Sequence, residues 1–383
     1  MIDRFSFSPD VGNVTVYWVL QIIFYLLMAY LGYKITKSEG KLLNRYCNFT
    51  IAYFSIYEGL RWLRGADYAH YYADLTEGLL YDDKEPLYKL IVEVFSNFPF
   101  YIAFIFYGFL LICPVVLLLK RYKENAYWIL PLFILLVTNN FECLIRQYIA
   151  TGFFLFGFYY WLEEKKKIAI AFFVAAAASH FAVCFPLLVF AICVLSPIKY
   201  EFKSPWIPIA LFTAFYWLWN IEYLGDYVIY LRFISLGDDS AFGGYISNTE
   251  RWFTIEGSIS ERTGKETQAA LMTRSVLYAI NVITIYYGFI YRNRELALKT
   301  FFWFTYWSLI IKAIAGDVEI ILRFYHFLMY MTPFLMGILL CRIENITIRK
   351  IYMWLILLYC VVYNVVLHIG TRPYSGCGFI WDI

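Results

Sequence analysis

Residues 58–90 read EGLRWLRGADYAHYYADLTEGLLYDDKEPLYKL, and what lies on either side of them decides the fold. The stretch holds two arginines, a Gly-Ala-Asp-Tyr step, a tyrosine pair, an acidic turn and a Glu-Pro-Leu-Tyr. Apolar runs flank it and recur along the whole chain, most of them near the roughly 17–25 residues that a bilayer of about 30 Å hydrocarbon thickness demands. The 383 residues are 62% hydrophobic, 22% aromatic and only 16% charged. Soluble domains carry about 25% charged residues, so a soluble fold would lack polar surface. The runs are continuous, which excludes a barrel of short alternating strands. The reading is an all-α polytopic membrane protein.

Spans are expected near 14–34, 47–62, 100–119, 127–138, 148–162, 168–179, 181–195, 206–221, 271–291, 300–315, 324–340 and 351–369. The runs at 127–138, 168–179 and 181–195 are short and read as tilted, broken or re-entrant, so ten to twelve helices cross. The whole chain, 1–383, is expected to form one transmembrane domain, with segments 61–99 and 222–270 covering its active site. MIDRFSFSPD is no basic leader, so no cleavable signal is expected.

Orientation follows from lysine and arginine. KITKSEGKLLNR, KRYKE, EEKKK, IKYEFK, YRNRELALK and CRIENITIRK hold 18 basic and 7 acidic residues, whereas the remainder holds 14 and 22. The first set is cytoplasmic, so both termini and residues 58–90 face outward. No phosphate-binding Gly-rich loop lies on the cytoplasmic side, and nothing suggests nucleic acid as a partner. The loop 222–274 is rich in Gly and Ser and reads as an outer lid. No internal repeat supports an inverted-repeat transporter.

Among the eight cysteines no metal spacing occurs, and most fall in spans as small apolar fillers. Cys143 and Cys377 fall on the outer side, where a disulfide is chemically allowed but not expected. No metal and no cofactor is expected.

Arginine near the membrane is expensive, about 2.5–3.5 kcal/mol even on a lenient scale. Arg61, Arg64, Arg146, Arg232, Arg251 and Arg323 nevertheless sit on the outer side. Snorkelling, or ion pairs with Glu142 or Glu319, would explain each singly. As a set they fit a phosphate clamp, since guanidinium is planar, permanently charged and bidentate. Tyr68, Tyr71, Tyr72, Tyr81 and Tyr88 share one outer segment with carboxylates, as a sugar groove requires, although helix packing competes. Candidate acids and bases are Asp67, Glu85, Glu142, His180, Asp317 and Glu319. His180 follows an alanine run and reads equally as a helix-gluing residue or as a general base. Glu85 precedes Pro86, a natural start for an amphipathic helix, so capping competes with a substrate role.

Arg61-Trp62-Leu63-Arg64-Gly65-Ala66-Asp67-Tyr68 with Tyr71, Glu85-Pro86-Leu87-Tyr88, Leu144-Ile145-Arg146-Gln147 and Ser179-His180-Phe181-Ala182 follow one another in an order that resembles the EpsG-like, Wzy-type bacterial polysaccharide polymerases. Leu322-Arg323-Phe324 and Arg372-Pro373-Tyr374 look similar too. The loop 222–274 matches nothing in that pattern. The resemblance implies a multi-span glycosyltransferase fold and transfer of a growing glycan from undecaprenyl diphosphate to an incoming lipid-linked repeat unit. It places the reaction at the outer face of the bacterial inner membrane, during O-antigen, capsule or exopolysaccharide assembly. The expected enzyme is inverting and metal-independent. Some of Arg64, Arg146 and Arg323 would hold the diphosphate, and Asp67 or His180 would be the base. Arg61, Tyr68, Tyr71, Glu85, Tyr88, Gln147, Arg232 and Arg251 would contact substrate. Partners are the lipid-linked oligosaccharide and membrane lipid, with a chain-length regulator left open. An O-antigen ligase, a lipid-linked-oligosaccharide flippase and a membrane acyltransferase built on His180 are the rival readings.

Overall fold

The computed structural model describes residues 13–65, 67–78, 84–195, 202–219, 268–315, 319–362 and 376–382. They are overwhelmingly helical, and the chain is an all-α polytopic membrane protein. They cluster into two compact units, one within residues 1–194 and 330–383 and the other within residues 195–329.

The first unit opens with α1 (Val14–Lys37) and α2 (Gly40–Gly59). The Asn13 side chain accepts from the Thr15 and Val16 N–H groups and so caps α1, while Lys34 and Lys37 suit the negative end of its dipole. Then come the two-residue strand β1 (Arg61–Trp62) and the short helices α3 (Tyr68–Thr76) and α4 (Pro86–Phe95). Longer helices follow: α5 (Phe100–Arg121), α6 (Ala126–Cys143) and α7 (Ile145–Leu162). Next are α8 (Lys166–Ser179), a 3₁₀ turn at Phe181–Val183 and α9 (Cys184–Leu195). By length and composition α1 and α5 are each long and apolar enough to cross a membrane. The 14 residues of α8 reach only about 21 Å, short of a bilayer core of about 30 Å.

Small residues let these helices approach. A Cβ added at Gly152 of α7 would fall 2.3 Å from the Leu110 carbonyl oxygen of α5, and one at Gly59 of α2 would fall 2.7 Å from the Ile105 backbone nitrogen. Between apolar helices in lipid, such backbone contact replaces the hydrophobic drive available in water.

One end of this unit gathers the basic turns. Lys123 pairs with Glu39 at 3.0 Å and Arg121 with Glu163 at 3.1 Å, joining three loops of the lysine-rich set. At the opposite ends of α2 and α5, the C-terminal strand β2 (Gly378–Phe379) pairs antiparallel with β1, Arg61 opposite Phe379. The expected helix over 47–62 therefore stops at Gly59, and Arg61 and Trp62 are extended.

The second unit holds α10 (Trp206–Leu218), α11 (Gln268–Tyr291), α12 (Leu296–Ala315) and α13 (Glu319–Met329). Arg274 donates to the Tyr216 carbonyl at 2.6 Å, and the Tyr216 hydroxyl returns a bond to the Arg274 carbonyl at 2.8 Å, tying α11 to α10. The run 324–340, expected as one span, is two helices. α13 ends at Met329, and α14 (Thr332–Arg342), which belongs to the first unit, starts with Pro333 in its first turn, where a missing N–H costs nothing. The last helix, α15 (Ile346–Val361), is capped by the Asn345 side chain.

Candidate functional site

Pro86 fixes the first turn of α4, leaving Glu85 in extended conformation at φ −65° and ψ 147°. The Glu85 side chain makes no capping bond to its own helix. It reaches instead to two other elements. Its Oε1 lies 2.6 Å from His180 Nδ1 and accepts from the Phe181 N–H at 3.1 Å. Its Oε2 accepts from Arg146 Nη1 at 3.1 Å. His180 ends α8 with extended backbone, φ −163°, and Arg146 is the second residue of α7. One carboxylate therefore ties together three helix ends that are far apart in sequence.

The α3 helix closes one side. The Arg146 N–H donates to the Tyr71 hydroxyl at 3.3 Å, and the Arg146 guanidinium lies 5.8 Å from the centre of the Tyr88 ring. Tyr71 meets Tyr88 edge to face at 6.3 Å. The cluster remains reachable: the Arg146, Glu85 and His180 side chains keep 24%, 16% and 11% of their surface. Burial alone would raise the Glu85 carboxyl, but the His180 hydrogen bond and the Arg146 charge outweigh it and bring the pKa down to about 2.

A second layer lies behind. Asp74 of α3 is buried, engages Lys84 with both oxygens and accepts from the Tyr88 hydroxyl at 3.0 Å. The fully buried Tyr107 hydroxyl of α5 has no hydrogen-bond partner among the described residues. The sequence reading passed over Asp74 and Lys84. The available signal was spacing: Asp74 follows Tyr71 by three residues on one helix face, and Lys84 adjoins Glu85.

Arg61 and Arg64 do not join Arg146 at the open cluster. Both are sealed from solvent. Arg61 pairs with Glu58 at 3.3 Å and faces the Phe104 ring at 5.2 Å. Arg64 lies 3.6 Å from Glu142 among the rings of Tyr17, Tyr57 and Phe379. Gly65 adopts φ +99°, and a Cβ there would fall 2.1 Å from the Glu142 carbonyl oxygen, so the turn after Arg64 admits only glycine. Desolvation explains the departure from the expected clamp: a buried guanidinium needs its own carboxylate, and each of these has one.

Tyr68 is also fully buried, stacked on Phe104 at 4.7 Å with its hydroxyl donating to the Arg61 carbonyl, and Gln147 is 3% exposed. These two are wall rather than open groove. Asp67 stands at the N-cap position of α3, where its carbonyl accepts from the His70 and Tyr71 N–H groups. Arg323 lies on α13 in the second unit. Arg232, Arg251, Asp317, Tyr81, Arg372 and most of the expected cover at 222–270 lie outside the described residues. Cys143 is half-buried and Cys377 is buried. Among the described residues no three His, Cys, Asp or Glu side chains gather in a metal-binding group.

A family model, described as the EpsG family, matches residues 44–375, nearly the whole chain. The chain belongs to the EpsG family. The match takes in Glu85, Arg146 and His180, and it bears out the resemblance read from the motifs. Membership in the EpsG family makes the protein polysaccharide-polymerase-like and glycosyltransferase-like, and its apolar helices place it in a membrane. No curated protein and no solved structure matches it.

Proposed function

We propose that this EpsG-family protein is an inverting polysaccharide polymerase. It joins repeat units carried on undecaprenyl diphosphate at the outer face of a bacterial plasma membrane. The observation that carries this reading is the Glu85 carboxylate shared between His180 and Arg146 at an exposed edge. With Nδ1 held by Glu85, His180 takes the proton of an acceptor sugar hydroxyl on Nε2. The hydroxyl oxygen attacks the anomeric carbon of the donor as the carbon–oxygen bond to phosphate breaks. The lipid diphosphate leaves with the bonding electrons, and Arg146 neutralises the charge that gathers on it.

The same order of groups accounts for orientation. The basic turns meet at one end of the first unit, and the Glu85 cluster lies at the starts of α4 and α7, away from them. With the basic end cytoplasmic, the cluster and both termini face outward, where glycan on a lipid carrier is assembled. His180 is favoured over Asp67 as base because its partner is already in place at 2.6 Å.

The test is a strain whose own copy carries His180→Ala, Glu85→Gln or Arg146→Ala. Each variant should insert at normal abundance and leave single repeat units on the carrier instead of polymer. Full-length polymer from a normally inserted His180→Ala protein would sink the proposal. Finished polymer that accumulates on the carrier without reaching its final acceptor would point to a ligase instead.

A further inference from the structure

The Glu85 carboxylate can serve two partners only if the chain entering α4 is held still, and the structure contains a device for that. Lys84 and Glu85 are consecutive residues whose side chains go to different helices. Lys84 goes to Asp74 of α3, while Glu85 goes to Arg146 at the start of α7 and His180 at the end of α8. Pro86 follows and fixes the first helical residue, so the backbone at 84–86 is gripped on both sides. Asp74 is 2% exposed and has both oxygens engaged, one of them also by the Tyr88 hydroxyl one turn into α4. The Tyr88 ring in turn faces both cations, Lys84 at 5.7 Å and Arg146 at 5.8 Å. A buried carboxylate held only to brace a surface loop would be a costly choice, because removing its partner strands a charge.

We propose that Asp74 and Lys84 are positioning residues for the Glu85–His180 pair: their ion pair sets where the Glu85 carboxylate stands, and through it how the imidazole is oriented. This rests on the reading of His180 as the base. The groups facing Glu85 are His180 from α8, Arg146 from α7 and Tyr71 from α3 by way of Arg146, with Lys84 adjoining it in the chain. Loss of the Asp74–Lys84 pair lets the carboxylate drift from His180 without deleting any group of the site. An imidazole that has lost a neighbouring carboxylate takes up a proton less readily.

The experiment uses membranes containing the full-length protein and the host's own lipid-linked repeat units, and follows polymer formation against pH. Asp74→Asn and Lys84→Met should each lower the rate about tenfold, since small misplacements of a reacting group are expensive. Both should move the acid limb of the profile to lower pH, and Lys84→Arg should restore the wild-type profile. The double variant should be no worse than either single, because both remove one interaction. Rates that fall with the profile unmoved, or a double variant that multiplies the two losses, would overturn the positioning role. If Asp74→Asn fails to insert, Lys84→Met carries the same comparison. An active His180→Ala protein sinks the underlying reading instead, and the two failures are told apart by that variant alone.

Discussion

Glu85 serves two side chains at once, the Arg146 guanidinium and the His180 imidazole. Its carboxyl is brought down to about 2 from an ordinary 4.5, so the charged form is favoured by folding. The stabilisation this brings is fully present above the unfolded value and disappears as the pH falls from about 4.5 through about 2. Thermal unfolding of the detergent-purified protein should therefore weaken with acidification across that window, and Glu85→Gln should flatten that part of the curve. The sealed arginines behave differently. Arg64→Ala removes the guanidinium that pairs with the buried Glu142, a loss of about 3–5 kcal/mol for a buried pair broken on one side. Its expected signature is low abundance in the membrane, whereas Arg146→Ala, at a partly exposed position, should keep abundance and lose polymer. Immunoblots of membrane fractions beside polymer gels separate the two.

At the scale of elements, the turn between β1 and α3 is the most constrained. Gly65→Ala forces an L side chain to φ +99° and drives a methyl into the Glu142 carbonyl, so it should cost at least about 1–3 kcal/mol and shift α3 away from Arg146. Protease sensitivity near residue 65 and loss of polymer would register it together. Gly152→Leu should part α5 from α7 in the same way, read as loss of the folded protein on heating. Much of this scale was legible in the sequence. Among the described residues the expected apolar runs lie on helix except at their ends, as at Arg61–Trp62, and at the break between α13 and α14, the Glu85–Pro86 step starts α4, and an arginine partner for Glu142 was foreseen. The links between distant residues were not legible. Period and capping report on neighbours within a turn or two, whereas His180 meets Glu85 across 95 residues and Arg64, in the turn before α3, meets Glu142 of α6. Even helix faces were obscured: on α1 the buried Phe24 and Met28 alternate with the exposed Val19 and Leu26, and all four are apolar. In lipid both the packed and the outer face are hydrocarbon, so no amphipathic stripe marks the core.

For the whole molecule, the segregation of charge is the feature with the widest reach. Lys123–Glu39 and Arg121–Glu163 lie on exposed turns, where screening makes each pair worth little, so their value is topogenic. A phosphatase reporter that is active only outside the cytoplasm should be silent when fused after Glu163 and active when fused after Asn97. The reverse pattern would invert the proposed orientation and put the Glu85 cluster out of reach of lipid-linked glycan on the outer leaflet.

The ring of Phe379 that covers the Arg64 guanidinium is synthesised only after every helix from α3 to α15. Until then one of the most costly charges in the protein waits half-wrapped, its socket missing a wall. Assembly thus closes from both chain ends toward each other, and translation halted before Gly376 should leave a nascent product that membrane quality-control proteases recognise at the Arg64 turn.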